Sequence, residues 1–240
     1  MGTERQPAVA GAFYPDNPEA LRRTVDDLLA EAETPQGSPP KAVIAPHAGF
    51  PFSGPVAAEA YAALRPIADQ IERVVLLGPS HYVPFRGLAA PSAERYVTPL
   101  GAIPIDGEGV TTALNQSGVV TLDAAHEREH SLETQLPFLQ EVLDDFQLVP
   151  LVVGDADPGE VAEVLETLWG GEETLIVISS DLSHFHDYET ARELDSATAR
   201  AIAALQPEKI GFDNACGRIP VNGLLEVAER HGLHSEILDV

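Results

Sequence analysis

The sequence of 240 residues is poor in cysteine, methionine, tryptophan and positive charge. Its single cysteine, Cys216, excludes an intramolecular disulfide and fits a reducing compartment. Only 14 lysine and arginine residues stand against 38 aspartate and glutamate residues, and the resulting net charge of −24 disfavours nucleic acid and anionic membranes as partners. We interpret this acidity as a property of the surface, which serves solubility or adaptation to a salty cytoplasm.

The chain also lacks an apolar run long enough to cross a bilayer. Its N-terminus has neither the basic start nor the apolar core of a signal peptide, and Gln6 stands where myristoylation requires serine or threonine. We therefore expect a cytoplasmic protein without membrane contact. A hydrophobic content of 44% and the absence of repeats and linkers predict a single domain over residues 1–240.

Apolar runs and helical periods alternate along the chain. Four buried strands are predicted at residues 41–46, 73–78, 147–154 and 174–179. Helices are predicted at residues 19–32, 54–64, 131–146, 158–169, 188–205 and 221–230, with Asn17 or Asp16 capping the first and Ser131 capping the third. Residues 83–105 read as short strands or loops. This pattern predicts an α/β fold with a mainly parallel central sheet covered by helices on both faces.

Three of the predicted strands are followed by histidine. His47 follows the first strand, His81 the second, and Asp181 and His184 the fourth. In open α/β sheets ligands bind beyond the carboxyl ends of the strands, and imidazole is a common metal ligand and general base. We therefore expect these side chains to meet at one crevice that holds or uses a metal ion. Three separately hydrogen-bonded loop histidines are the less favoured alternative.

Other candidates carry weaker signals. His126 and His130 are four residues apart, but they do not form the H-E-x-x-H pattern and precede the predicted helix. A structural or pocket-wall role suits His130 and Glu133 as well as a chemical one. Cys216, in DNACGR, is equally consistent with a small buried hydrophobe and with a thiolate ligand or reactive thiol.

Six motifs occur in one order over nearly the whole chain: AVAGAFYP (8–15), APHAGFPFSG (45–54), GPSHY (78–82), EHSLETQLPFL (129–139), SSDLSHF (179–185) and CGRIPV (216–221). Together they resemble the Memo family, the Memo-like component of the AmmeMemoRadiSam system. The resemblance implies a fold similar to that of class III extradiol dioxygenases. It also implies that family members usually continue beyond the position of Val240, so we expect a shortened sheet edge or pocket floor after the strand-like SEILDV.

The resemblance further implies a mononuclear metal site made by His47, His81 and Cys216. The related dioxygenases have a carboxylate in place of the cysteine, and a thiolate shifts the preference toward copper or electron-rich iron, with zinc as a substitute. His184 matches the acid–base histidine of the dioxygenases, and Asp181 would orient it or hydrogen-bond a ligand. By the same resemblance, His130 and Glu133 are pocket residues.

Three functions remain open from the sequence. The first is a metal-dependent redox enzyme that acts with oxygen or a small organic substrate. The second is a non-catalytic protein that binds a peptide or small ligand in the same pocket. The third is a metal-carrying protein whose partners are a radical-SAM protein and an AMMECR-type protein. All three would use the same crevice.

Overall fold

A computed structural model describes residues 3–35 and 37–240, and its centre is a sheet of six strands. Neighbouring strands run parallel except at one antiparallel pair, formed by Leu88–Ala90 and Gln147–Val153, so the predicted mainly parallel sheet is confirmed. In spatial order the strands are β2 (Ala42–Ala45), β9 (Thr174–Ser179), β3 (Arg73–Pro79), β8 (Gln147–Val153), β4 (Leu88–Ala90) and β7 (Val119–Thr121). A smaller sheet contains β1 (Glu4–Arg5), β5 (Arg95–Thr98) and β6 (Gly101–Pro104).

Helices cover both faces of the large sheet, as predicted. Side chains alternate along its strands, so Val74 and Leu76 of β3 pack in one apolar layer and Val75 and Leu77 in the other. The first layer includes α1 (Pro18–Glu31), α2 (Phe50–Ala62), α4 (Asp123–Glu127) and α5 (Leu136–Val142). The second includes α3 (Gly107–Leu114), α6 (Pro158–Leu168), α7 (Tyr188–Ala203) and α8 (Arg218–Arg230). Burial on both faces explains the nearly all-apolar strands.

The helix predicted at residues 131–146 is wrong at both ends, because α5 covers only Leu136–Val142. Ser131 is not a helix cap, because its hydroxyl donates to the Pro79 carbonyl oxygen at 2.9 Å and ties this segment to the end of β3. A 3-10 turn follows at Glu133–Gln135, and α5 begins at Leu136. Pro137 lies in the first turn of α5, where its missing N–H costs no helical hydrogen bond.

The other observed helix boundaries differ less from the predicted ones. The first helix begins as predicted, with the Asn17 side chain accepting from the Ala20 N–H at 3.0 Å. The second begins at Phe50 instead of Gly54, with Pro51 in its first turn and Pro55 inside the helix. Short elements between residues 107 and 127 were not predicted, and residues 233–240, which contain SEILDV, form no strand. Within the described part of the chain, no helix combines the length and the hydropathy needed to cross a membrane.

Candidate metal centre

The predicted meeting of strand-end residues occurs in the structure. β9 lies between β2 and β3 and runs parallel to both, so the three carboxyl ends share one edge of the sheet. His47, His81 and Asp181 follow these ends within two residues, and Cys216 joins them from the turn before α8.

One potential ligand atom from each of His47, His81 and Cys216 lies within 4.8 Å of the others. Cys216 Sγ is 3.3 Å from His47 Nε2, and the centroids of the two imidazole rings are 5.1 Å apart. Ligands bonded to one ion at about 2.0–2.3 Å lie within about 4.6 Å of each other. The spacing therefore suits a shared ion after a small adjustment of side chains.

Glu129 supports His81 from the side opposite the cysteine. Its Oε1 lies 2.8 Å from His81 Nδ1, and its Oε2 accepts from the His81 backbone N–H at 2.7 Å. Burial favours the neutral carboxyl, but the hydrogen bonds from His81 outweigh burial and lower the pKa of Glu129 to about 2. Glu129 is therefore an anion that receives the Nδ1 proton of His81, as carboxylates behind metal-bound histidines do.

The charges of His81 and Cys216 are coupled. Burial lowers the pKa of His81, but hydrogen bonds to Cys216 and Glu129 prevail and raise it to about 10. Burial raises the pKa of Cys216, but hydrogen bonds to His47 and His81 prevail and lower it to about 6. At neutral pH the pair is thus a thiolate beside an imidazolium, and a metal ion would replace the bridging protons.

His47 is held in the interior of the fold. Its side chain is 1% exposed, and its Nδ1 lies 2.8 Å from the hydroxyl oxygen of Ser179, the last residue of β9. Its backbone N–H donates to Asp181 Oδ1 at 2.6 Å. The backbone and the ring are therefore fixed by different residues of the same strand end.

The turn that carries Cys216 packs closely on the end of β9. The Cys216 N–H donates to the Asp181 carbonyl oxygen at 3.3 Å, and the Gly217 N–H donates to Ser180 Oγ at 3.0 Å. A Cβ atom at position 217 would lie 2.6 Å from Ser180 Cβ. Glycine is required at this position for the cysteine to approach the two histidines.

Asp181 and His184, the predicted proton-handling pair, lie beside the three candidate ligands. Asp181 Oδ2 is 3.6 Å from His184 Nε2 and 3.8 Å from His47 Nε2. The His184 side chain is 42% exposed and faces solvent. Asp181 thus lies between a buried candidate ligand and a solvent-facing imidazole.

The two predicted pocket residues lie in different places. The His130 ring stacks on His81 with centroids 4.5 Å apart and lies 5.4 Å from the His47 ring, so His130 lines the site. Burial and the charge of His81 lower the pKa of His130 to about 4, which keeps it neutral. Glu133 lies outside the site: it is fully buried and accepts from the Ala8 and Val9 N–H groups and the Tyr14 hydroxyl. It also pairs with Arg5 and so anchors the N-terminal segment.

His126 has a structural position. It is buried, with Nδ1 2.6 Å from the Tyr96 hydroxyl and Nε2 2.9 Å from the Ala89 carbonyl oxygen. Both ring nitrogens are therefore occupied by the protein, and His126 does not reach the candidate ligands.

A second set of ligand atoms, from His81, Glu129 and His130, also lies within 4.8 Å. It suits an ion less well, because Glu129 already accepts four hydrogen bonds. Its Oε1 receives His81 Nδ1–H and the N–H groups of His130 and Ser131, while its Oε2 receives the His81 N–H. An ion there would have to displace these donors.

The roles of Glu129, Ser179 and Gln135 were missed from the sequence. Gln135 Nε2 lies 2.8 Å from Ser179 Oγ, which connects it to His47. One signal was present: Glu129 and Gln135 fall inside EHSLETQLPFL, the longest of the six motifs. The density of polar residues in an otherwise buried segment indicates contacts with a site.

Comparison with known proteins gives consistent matches over the whole fold. The sequence profile of the family described as "Memo-like protein" matches residues 5–239. The MEMO1 family protein of Aquifex aeolicus is 38% identical over 227 residues, which cover 90% of this chain and 83% of that protein. Those of Methanopyrus kandleri and Methanobrevibacter smithii are 36% and 35% identical, covering 96% and 98% of this chain and 81% and 91% of their own lengths.

Proposed function

Because the chain belongs to the Memo family, we propose that it holds an iron or copper ion on His47, His81 and Cys216 and acts as a redox enzyme on oxygen or a small organic substrate. The convergence of the three ligand atoms supports this most directly. The donor set fits, since thiolate sulfur and imidazole nitrogen suit copper and iron. Such an ion would supply one-electron redox chemistry.

His184 and Asp181 would move protons at this site. The His184 imidazole faces solvent, and the Asp181 carboxylate lies between it and His47. An exposed histidine can take a proton from water and pass it to a bound ligand, while the carboxylate keeps the ring oriented. This division leaves His47, His81 and Cys216 to bind the ion.

Metal analysis tests the proposal. Protein purified without a histidine tag is loaded anaerobically with Fe(II) or Cu(I), and bound metal is measured by mass spectrometry in wild type, His47→Ala and Cys216→Ser. His234→Ala, which changes an exposed histidine near the chain end, is the matched control. We expect about one ion per chain in wild type and control and a loss of at least tenfold in affinity in the two variants. Equal, negligible metal in all four proteins would refute the proposal.

The redox part needs its own measurement. If iron binds, oxygen consumption is followed with catechol-like substrates in wild type and His184→Gln. We expect uptake in wild type and slower uptake in the variant, because the variant cannot relay a proton. No uptake by the iron-loaded wild type with any of these substrates would count against dioxygenase activity.

A second candidate function, binding of a peptide or small ligand without catalysis, is favoured by exposed aromatic side chains beside the candidate site. Tyr82 is 45% exposed with its ring 5.8 Å from that of His130, and Phe185 is fully exposed beside His184. Exposed aromatic groups beside a cluster of polar side chains are typical of ligand recognition. Ligand binding that persists in metal-free Cys216→Ser would support this function. The radical-SAM and AMMECR-type partners stay a prediction.

A further inference from the structure

We propose that Ser179 is a positioning residue that, together with Gln135 and Tyr61, keeps a proton on Nδ1 of His47 and so presents Nε2 as the only ring nitrogen able to bind metal. This inference rests on the proposed metal site. It concerns side chains behind His47 that touch neither the ion nor a substrate. The four residues come from α2, the 3-10 turn at Glu133–Gln135, β9 and the segment after β2.

The hydrogen bonds form one continuous chain. The Tyr61 hydroxyl donates to Gln135 Oε1 at 2.7 Å, and Gln135 Nε2 donates to Ser179 Oγ at 2.8 Å. Ser179 Oγ in turn donates to the Ser131 carbonyl oxygen at 2.5 Å and lies 2.8 Å from His47 Nδ1. We call this chain the Tyr61 relay.

The orientation of the Gln135 amide is fixed by its surroundings. Its Nε2 is 2.9 Å from the Pro46 carbonyl oxygen, which can only accept a hydrogen bond. The amide nitrogen must therefore face Pro46 and Ser179, and the amide oxygen must face the Tyr61 hydroxyl. The opposite orientation would place two oxygen acceptors against each other.

The proton count at Ser179 then determines the state of His47. A hydroxyl group has one proton to donate and two lone pairs that accept. The proton goes to the Ser131 carbonyl oxygen, which has none to give, and one lone pair receives the Gln135 amide. The remaining lone pair faces His47 Nδ1, so Nδ1 must carry a proton to complete the hydrogen bond.

Burial makes this assignment strict. Tyr61, Gln135 and Ser179 are fully buried, and His47 is 1% exposed. Water therefore cannot substitute for a missing donor, and an unprotonated Nδ1 would leave two buried lone pairs in contact. With Nδ1 occupied, Nε2, 3.3 Å from Cys216 Sγ, is the nitrogen that can ligate an ion.

Nitrogen NMR of the metal-free protein tests the inference without an activity assay. With 15N-labelled histidine, we expect His47 Nδ1 to show a directly bonded proton that exchanges slowly with water in wild type. In Ser179→Ala this proton should exchange at least tenfold faster, and Zn(II), used as a probe in a competition titration, should bind about 10–100-fold more weakly. Ser117→Ala, at an exposed turn, is the matched control and should match wild type in both measurements.

Tyr61→Phe provides a second variant if Ser179→Ala does not fold. It removes only the far end of the Tyr61 relay and leaves Ser179 unchanged. We expect the His47 Nδ1 proton to exchange with water faster than in wild type. A wild-type His47 whose Nδ1 lacks a bonded proton would overturn the inference, even if metal binds. A protonated Nδ1 in a protein that binds no metal would support the inference and refute the proposed function.

Discussion

His47 and His81 reach the same site, but they are supported in different ways. His47 is 1% exposed and rests on the neutral Tyr61 relay, whereas the His81 side chain is 28% exposed and rests on the Glu129 carboxylate. A buried charge behind His47 would require costly desolvation, while Glu129 is offset by four hydrogen bonds. The candidate metal site thus combines a neutral support with a charged support.

The two supports also differ in the elements that they need. The Tyr61 relay draws on α2, Gln135 of the 3-10 turn and the strand β9. The Glu129 support lies in the segment between α4 and the 3-10 turn, and Arg5 of β1 holds it by donating to the His126 and Glu129 carbonyl oxygens. Perturbing the N-terminal anchor should therefore affect His81 before His47.

The largest effect is expected for Glu133→Gln. The variant leaves the Arg5 guanidinium buried without its carboxylate, because the side chains are 5% and 0% exposed. We expect a loss of about 3–5 kcal/mol in the free energy of unfolding, measured by denaturant titration. Hydrogen exchange should rise at Glu129 more than in β9. Glu127→Gln, which makes the same charge change at an exposed glutamate, is the control. A loss in Glu133→Gln no larger than the loss in this control would contradict the prediction.

Acid should weaken the same side of the site. Burial lowers the pKa of His126 to about 4, against about 6.5 in the unfolded chain. As the pH falls, the unfolded state therefore takes up a proton on His126 before the folded state does. The contribution of neutral His126 to the free energy of unfolding is complete above pH 6.5 and is lost as the pH falls toward 4. The loss is up to about 3 kcal/mol, measured as unfolding free energy against pH. The Tyr61 relay contains only hydroxyl and amide groups, and early loss of exchange protection at Ser179 would contradict this account.

Glu129→Gln should have a somewhat smaller effect on stability. The amide cannot accept all four hydrogen bonds, and we expect a loss of roughly 2–3 kcal/mol. Because the carboxylate is one of the groups that raise the pKa of His81, that pKa should fall from about 10. NMR titration of the metal-free protein measures it. The pKa of His81 should stay unchanged in Glu127→Gln, and an unchanged value in Glu129→Gln would refute the assigned role of Glu129.

His184→Gln should change stability least. The side chain is 42% exposed and its contact with Asp181 is long, so we expect a change within about 0.5 kcal/mol. Affinity for Zn(II) should stay within about twofold of wild type, because His184 is not one of the three proposed ligands. A tenfold loss of affinity would show instead that His184 binds the ion.

The sequence predicted the sheet and the strand-end histidines because both depend on local signals. Apolar runs mark buried strands, and parallel strands bring their carboxyl ends to one edge. Cys216 joined the site only through the family resemblance, since its own segment left two interpretations open. The contact between Cys216 and His47 joins residues 169 positions apart, which no local pattern encodes.

The supporting residues were harder to predict because their roles arise between distant segments. Ser131 has the composition of a helix cap, yet its hydroxyl bonds to Pro79, 52 residues earlier. Gln135 meets Ser179 across 44 residues, and Glu133 meets Arg5 across 128. Polar residues in a buried segment indicate that such partners exist, but tertiary packing decides which they are.

The position of β9 has a consequence for biosynthesis. It is the last strand in the chain, yet it lies between β2 and β3, which otherwise share no hydrogen bonds among the described strands. A growing chain on the ribosome can form the β3–β8 pair early, but it must wait for β9 to join β2 to the sheet. The candidate ligands His47, His81 and Cys216 therefore come together only after β9 and the turn that carries Cys216 have been synthesised and this long-range step is complete.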